Sequence, residues 1–306
     1  MAKPLRIGNL IDVSKPFSGV VEELRGLADA GFDHAFAVQI FGPDALTLLA
    51  AAGAQVPDIS LGTGVVPVYP RHPMMLAQQA LTVQAATGNR LLLGIGLSHQ
   101  IVVESMWGLS YEKPAAYMKD YLSVLMPLMR GETLNFSGER ITTNAYSALE
   151  IGGVEPPPTL VAALGPTMLK LAGQLADGTI TWMTGLNTIE GHVAPTITAA
   201  AAEAGRPAPR VVVSLPISVT SDIEGTKEKV NKAFSIYPNL PAYRAMLDRE
   251  GADVAADIAL LGDESAVVAS LERLAAVGAT DCVASIVGTA EERQRTFDLL
   301  SELARS

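Results

Sequence analysis

Leu91-Leu92-Leu93-Gly94-Ile95-Gly96-Leu97, followed at once by Ser98-His99, is the stretch on which the fold turns. The run is apolar without alternation. It describes a strand buried on both faces, as parallel strands are under helices. Just upstream, Pro73–Thr87 has helical spacing and carries proline at its first position, where no donor is lost. Ahead of it lie a strand over 58–66, a helix over 44–53, a strand over 32–38 and a helix over 19–30 stopped by Gly31. A first strand covers 5–11.

Downstream the rhythm pauses. Residues 115–130 form an amphipathic helix with Met118, Leu122, Leu125 and Met129 on one face, and Pro127 is expected to kink or end it early. Residues 133–143 read as a hairpin around Ser137-Gly138, outside the repeat. Strands then return at 159–163, 178–182, 210–219 and 281–287, with helices at 167–175, 189–204, 264–276 and 291–304. Asp263 caps the helix over 264–276, whose Val267, Leu271 and Leu274 face inward and which Gly278 ends. Short helical pieces between 222 and 257 form a second insertion. Eight strands, each followed by a helix, specify an α/β (β/α)8 TIM barrel with insertions after strands four and seven. No low-complexity linker divides the chain, so 1–306 reads as one domain. A dinucleotide-binding sheet would need a glycine-rich first turn, but that turn is Ile11-Asp12-Val13-Ser14. Gly94-Ile95-Gly96 is a poor substitute, since His99 stands where the third glycine belongs.

Of the 306 residues, 49% are hydrophobic and only 5% aromatic, so the core is built from Ala, Val, Leu and Ile. The lone Cys282 excludes an internal disulfide, fits a reducing compartment and reads as an apolar filler in a strand. A net charge of −10 without basic runs disfavours nucleic acid as a partner. The N-terminus turns polar by Gly8-Asn9, unlike a secretory signal, and no segment approaches the ~20 apolar residues of a membrane span. A cytoplasmic enzyme acting on a small molecule is expected.

Reactive groups of such a barrel project from the C-terminal strand ends. Those positions hold Asp12, Gln39, Thr63 with Gly64, Ser98 with His99, Ala163 to Gly165, Trp182 with Thr184, Ser218 and Ser285. There is no glycosidase-like carboxylate pair, no metal-ligand spacing and no Gly-x-Ser-x-Gly elbow. A set so poor in acids, bases and nucleophiles points to a cofactor as the source of reactivity. In Ala163-Leu164-Gly165-Pro166-Thr167-Met168 a strand runs straight into a helix, giving either an anion site made of backbone N–H groups or an ordinary turn. Thr63-Gly64-Val65-Val66-Pro67-Val68-Tyr69-Pro70 offers either close approach of a planar ring at Gly64 or a plain bulge. Arg71 and His72 oppose the dipole of the following helix, which invites an offsetting anion unless they lie in a solvent-facing loop. His99 is the leading candidate for proton transfer, against the competing reading of a histidine that binds or packs; Glu104 is a weaker one. Trp107 and Tyr111 either cover a flat ring or pack the insertion.

Gly64-Val65-Val66-Pro67-Val68-Tyr69-Pro70-Arg71-His72-Pro73 and Asn89-Arg90-Leu91-Leu92-Leu93-Gly94-Ile95-Gly96-Leu97-Ser98-His99 together resemble the luciferase-like monooxygenase superfamily. Trp107-Gly108-Leu109-Ser110, Arg130-Gly131-Glu132, Ala163-Leu164-Gly165-Pro166, Ala176-Asp177-Gly178 and Gly278-Ala279-Thr280-Asp281 extend the resemblance over nearly the whole chain. Within the superfamily it looks most like the branch using the deazaflavin coenzyme F420, relatives of methylenetetrahydromethanopterin reductase. The resemblance implies a barrel, usually dimeric, that lays a tricyclic ring against a bulge after strand three. It also implies a non-proline cis peptide near Gly64-Val65 and a phosphate held by backbone amides after strand five. The insertion after strand four would help cover the cofactor or form the subunit interface. Alcohol dehydrogenases of the group carry an Asp-His pair after strand two, where this chain has Gln39-Ile40. Isoleucine moves no proton, so reduction of an activated C=C or C=N bond fits better, with His99 or bound water as acid.

Residues and resemblance together give a cofactor-binding set of Gln39, Thr63, Gly64, Val65, Val66, Ser98, His99, Ala163, Leu164, Gly165, Pro166, Thr167 and Thr184, with His99 also catalytic and no metal. An FMN-dependent monooxygenase and a non-catalytic flavin-binding or ligand-binding barrel are the alternatives.

Overall fold

Unpaired edges of apolar strands are an aggregation liability, and closing the sheet on itself removes them. The computed structural model describes residues 5–306, so the opening Met1-Ala2-Lys3-Pro4 lies outside the described residues. Among the described residues, eight parallel strands close into a barrel. They are β1 (Arg6–Leu10), β2 (His34–Ala37), β3 (Ser60–Thr63), β4 (Leu91–Gly96), β5 (Thr159–Ala162), β6 (Gly178–Trp182), β7 (Arg210–Val219) and β8 (Asp281–Ile286). Each pairs with the next, and β8 returns to β1 with Arg6 opposite Asp281.

The helices form the outer ring. They are α1 (Phe17–Asp29), α2 (Ala45–Gly53), α3 (Pro73–Thr87), α4 (Pro114–Met129), α5 (Pro166–Leu175), α6 (Ala194–Glu203), α7 (Ile223–Ala233), α8 (Pro241–Glu250), α9 (Glu264–Ala276) and α10 (Ala290–Arg305). Their apolar stripes and the outward residues of the strands make one large core, while Phe36, Leu92, Leu160, Ile180, Val212 and Val283 fill the barrel itself. Leu10, Val65 and Ala162 pack on top of that plug and are only partly buried, so the C-terminal mouth has an apolar floor.

The opposite end is closed by charge. The first residues of β1, β2, β7 and β8 meet there. Asp281, fully buried, accepts from Arg6 Nε at 2.7 Å, His34 Nε2 at 3.0 Å, Arg210 at 2.5 Å and the Thr280 hydroxyl at 2.5 Å. Burial alone would raise the Asp281 pKa, yet the hydrogen bonds from His34 and Arg6 and the charge of Arg210 hold it far below the usual carboxylate range.

Several elements differ in detail from the sequence expectation. The strand expected over 58–66 is interrupted: β3 stops at Thr63, the Gly64–Val65 peptide is cis, and Val66–Pro67 then pairs with the end of β4. Helix α4 runs through Pro127 and stops two residues later at Met129, because a proline in the last turn removes only one helical bond before the helix ends. The helix expected over 189–204 begins at Leu186 and carries a π-turn over Ile189–Val193 before α6, and a second π-turn, Val102–Met106, occupies what read as loop. A short strand, Leu260–Gly262, extends the sheet beside Ile217–Val219; three residues carry too little periodicity to announce themselves. Asp263 caps α9 by accepting from the Ala266 amide, and Val267, Leu271 and Leu274 are buried as expected. Among the described residues no helix is long and apolar enough to cross a membrane.

Asp281→Asn is expected to cost about 3–5 kcal/mol in urea unfolding, the usual penalty for removing one partner of an ion pair whose carboxylate is buried. Because the folded pKa is depressed, this stabilisation is complete above the ordinary carboxylate value of 3.8 and drains away as pH falls below it. A stability gap between the unsubstituted protein and the Asp281→Asn variant that persists unchanged far below that value contradicts this assignment.

Candidate functional site

The mouth is built from strand ends with very small side chains. Gly94 is imposed by the fold, since a Cβ there would lie 1.9 Å from the Thr63 carbonyl oxygen, and at Gly96 one would lie 2.7 Å from Val65. Gly64 differs: a Cβ would make only ordinary contacts, 3.6 Å to Phe36 and 3.7 Å to Ile180. The protein's own packing therefore does not demand glycine at 64, where a Cβ would rest on the apolar floor without a clash. Two non-glycine residues with left-handed backbones lie just past strand ends at this face, Ser98 at φ 64° two residues beyond β4 and Met183 at φ 51° directly after β6. Such conformations in ordinary residues gather at sites where the surroundings enforce them.

The expected site residues separate into two groups. Gln39, Gly64, Val65, Ser98, His99 and Leu164 are part-exposed at the mouth, and Gly165, Pro166 and Thr167 are exposed beside it. Thr63, Val66, Ala163 and Thr184 are buried. The Thr63 hydroxyl accepts from the Gly94 amide and donates to the Gly94 carbonyl, both at 2.8 Å, and the Thr184 hydroxyl donates to the Trp182 carbonyl. These hydroxyls brace the strand ends and do not present a polar tip to the mouth. The Gln39 side-chain oxygen accepts from the Ala45 amide, joining the β2 loop to α2.

The helix starts around the mouth discriminate sharply. Asp44 caps α2, and His72 caps α3 by accepting from the Met74 amide at Nδ1, while its Nε2 donates to the Thr143 hydroxyl of the hairpin. Arg71 is ion-paired with Asp44, so that carboxylate is the anion that offsets it. The start of the helical segment after β6 is also filled: Glu250 of α8 accepts from the amides of Asn187 at 3.0 Å and Thr188 at 2.7 Å. At α5, in contrast, no side chain caps Gly165 among the described residues. The first helical bond there is Leu169 N–H to the Gly165 carbonyl, and Pro166 has no N–H, which leaves the Thr167 and Met168 amides without helical partners. His192, buried in the π-turn, donates to the Leu164 carbonyl at 2.7 Å. That bond fixes the planar Leu164–Gly165 peptide and aims the Gly165 N–H the opposite way.

His99 is half-buried with its ring centroid 6.0 Å from that of Tyr243. Burial lowers its pKa below the ordinary 6.5, so the imidazole is neutral at pH 7. Glu104 accepts from Gln100 and from the Tyr111 amide in the exposed π-turn. Tyr111 packs on Tyr69 at 5.4 Å and Trp107 packs against the core, so both serve the insertion.

Sequence reasoning missed His192, Glu250, Tyr237 and Tyr243. Nothing local announces Glu250, which meets Thr188 across 62 positions. Phe234, Tyr237 and Tyr243, crowded into the second insertion of an aromatic-poor chain, were a usable signal.

Fold and mouth together define a (β/α)8 barrel with an apolar, small-residue mouth flanked by the uncapped N-terminus of α5. The chain belongs to the luciferase-like monooxygenase family, whose model matches residues 3–298. It is similar to a Mycobacterium tuberculosis protein provisionally named a coenzyme F420-dependent oxidoreductase, with 31% identity over 180 residues, 54% of this chain and 51% of that protein. It is also similar to 5,10-methylenetetrahydromethanopterin reductase of Methanolobus tindarius, with 29% identity over 201 residues, 65% of this chain and 60% of that protein. The matched stretches thus span about half to three-fifths of these curated relatives. In three dimensions the chain superposes on the coenzyme F420 dependent tetrahydromethanopterin reductase of Methanopyrus kandleri with a TM-score of 0.80 at 20% identity, covering 97% of each chain.

In a pH titration followed by NMR, His99 is expected to titrate below 6.5. A midpoint above that value would mean that a carboxylate, not burial, sets its environment.

Proposed function

We propose that this barrel binds coenzyme F420 across its mouth and moves a hydride between that cofactor and a small organic substrate, in the direction that reduces an activated C=C or C=N bond. The observation that carries the reading is the uncapped start of α5, with its free amides, standing beside an apolar floor. Anions settle at such helix ends without any basic side chain. A phosphorylated, flat, largely apolar cofactor matches both halves of that surface. The names of the relatives point to the same cofactor.

In this reading Gly165, Thr167 and Met168 hold the phosphate through main-chain N–H groups, and the Thr167 hydroxyl lies alongside them. Leu10, Gly64, Val65 and Ala162 support the ring. The cofactor, when bound, supplies the hydride. His99 supplies a proton to the substrate, which it can do only when charged. Since burial lowers its pKa, reduction is expected to slow as pH rises through a midpoint below 6.5. No carboxylate is needed to hold the substrate; the strand ends fix distance and angle.

Titration of the protein with F420 and with FMN tests the cofactor. Saturable binding of F420 is expected, and tight binding of FMN alone would move the chain to an oxygen-activating monooxygenase. Gly165→Asp gives a sharper test, because nothing lies within 4 Å of a Cβ at that position and its backbone is extended. The new carboxylate caps α5 and adds a few tenths of a kcal/mol to stability, while weakening F420 binding at least about tenfold. Unchanged F420 affinity in that variant would remove the anion site. His99→Ala is expected to leave F420 affinity nearly intact, lower turnover at least about tenfold and abolish the alkaline fall in rate.

A further inference from the structure

The second insertion reaches the mouth with a chain of rings. Tyr243 of α8 stands 6.0 Å from His99 by ring centroids and meets Tyr237 edge-on at 4.8 Å. Tyr237 continues to Trp182, the last residue of β6, at 5.9 Å, and Trp182 meets Phe234 at 5.3 Å. Rings from four separate segments, His99, Trp182, Phe234 with Tyr237, and Tyr243, therefore form a continuous wall from beyond the end of β4 to the end of β6. Burial raises the pKa of both Tyr237 and Tyr243, so both phenols stay uncharged near neutrality.

Two of the charges on this insertion, Arg244 and Glu250, are already engaged. Arg244, beside Tyr243, donates to Asp248 and to the carbonyls of Ala252 and Asp253. Glu250 is held by the amides of Asn187 and Thr188. Neither offers a free charge to a ligand. The rim beyond is apolar as well. Ile40 (64% exposed) and Phe41 (67%) follow β2, Ile101 and Met106 follow β4, and Ile236 belongs to the insertion after β7.

We propose that Tyr243, with Tyr237 and Trp182, determines specificity by admitting neutral apolar substrates and rejecting anionic ones. The proposal rests on the hydride-transfer reading above, and names the substrate class of that same site. Near neutrality, where His99 beside the wall is uncharged, a carboxylate or phosphate on the substrate would be desolvated against rings without a charge there to repay it. A neutral unsaturated ketone or imine loses nothing of that kind and gains ring contact.

The chain has two tryptophans, so Trp107→Phe leaves Trp182 as the sole indole reporter. In that background, loaded with F420, cyclohex-2-enone is expected to quench Trp182 fluorescence saturably. The carboxylate-bearing 3-oxocyclohex-1-ene-1-carboxylate is expected to bind at least about tenfold more weakly. Tyr243→Ala is expected to raise the enone Kd at least about tenfold, and Tyr243→Phe by less than about threefold, with F420 affinity unchanged in both. Should Tyr243→Ala fail to fold, Tyr237→Leu is expected to weaken enone binding in the same way. Equal affinity for the two enones, or a Tyr243→Ala variant that binds the neutral enone as tightly as the parent, overturns the proposal. If the unsubstituted protein takes up no F420, the hydride-transfer reading fails, and the same titration without cofactor still decides whether the wall selects neutral ligands.

Discussion

The Asp281 carboxylate holds the first, second, seventh and eighth strands together, and the rest of the molecule depends on that closure. Arg6, His34 and Arg210 each begin a strand, and each donates to the same buried carboxylate. The first and last strands are 275 residues apart in the chain at this contact, so it fixes the register of the whole ring. With one end of the barrel locked by charge and its middle filled by Phe36, Leu92, Leu160, Ile180, Val212 and Val283, the opposite end is free to carry small residues and open backbone. Stability at one rim and chemistry at the other is the division of labour this architecture allows.

At the free rim the proposed anion site is made of main chain, where other sites use charged side chains. Most helix starts around the mouth have an internal acceptor: Asp44 for α2, His72 for α3, Glu250 for the segment after β6. Among the described residues the starts of α1, α4 and α5 have no side-chain cap, and at α5 His192 orients the peptide that leads into it. A site of this kind binds an anion through oriented dipoles and stays neutral itself, which suits a protein with a net charge of −10. Burial also keeps His99 neutral at pH 7. Reactivity is thereby left to whatever lies on the floor.

Much of the barrel was legible in the residues. The unbroken apolar run Leu91–Gly96, the proline opening α3 and the aspartate capping α9 each state a local rule that the tertiary structure obeys. The bounds of β6 and β7 follow from the same logic. The irregular parts were less legible for a physical reason. A π-turn needs one extra residue per turn and shows no periodicity over five residues, so Val102–Met106 read as loop. The strand at Leu260–Gly262 is too short to alternate. At the site, His99 and the Leu164–Thr167 turn were visible because chain position alone puts them at strand ends. Thr63 and Thr184 shared that position, but their hydroxyls are spent on neighbouring backbone, which spacing does not reveal. Glu250, His192 and Tyr243 act across tens of residues and emerge only once the chain has folded.

A crystal structure of the protein soaked with F420 tests the central claim most directly. The account predicts density for the phosphate within hydrogen-bonding distance of the Thr167 and Met168 amides, with the ring over Gly64 and Val65. A phosphate at the Asp281 end of the barrel, or beside Asn187 with the Glu250 carboxylate displaced, would contradict it.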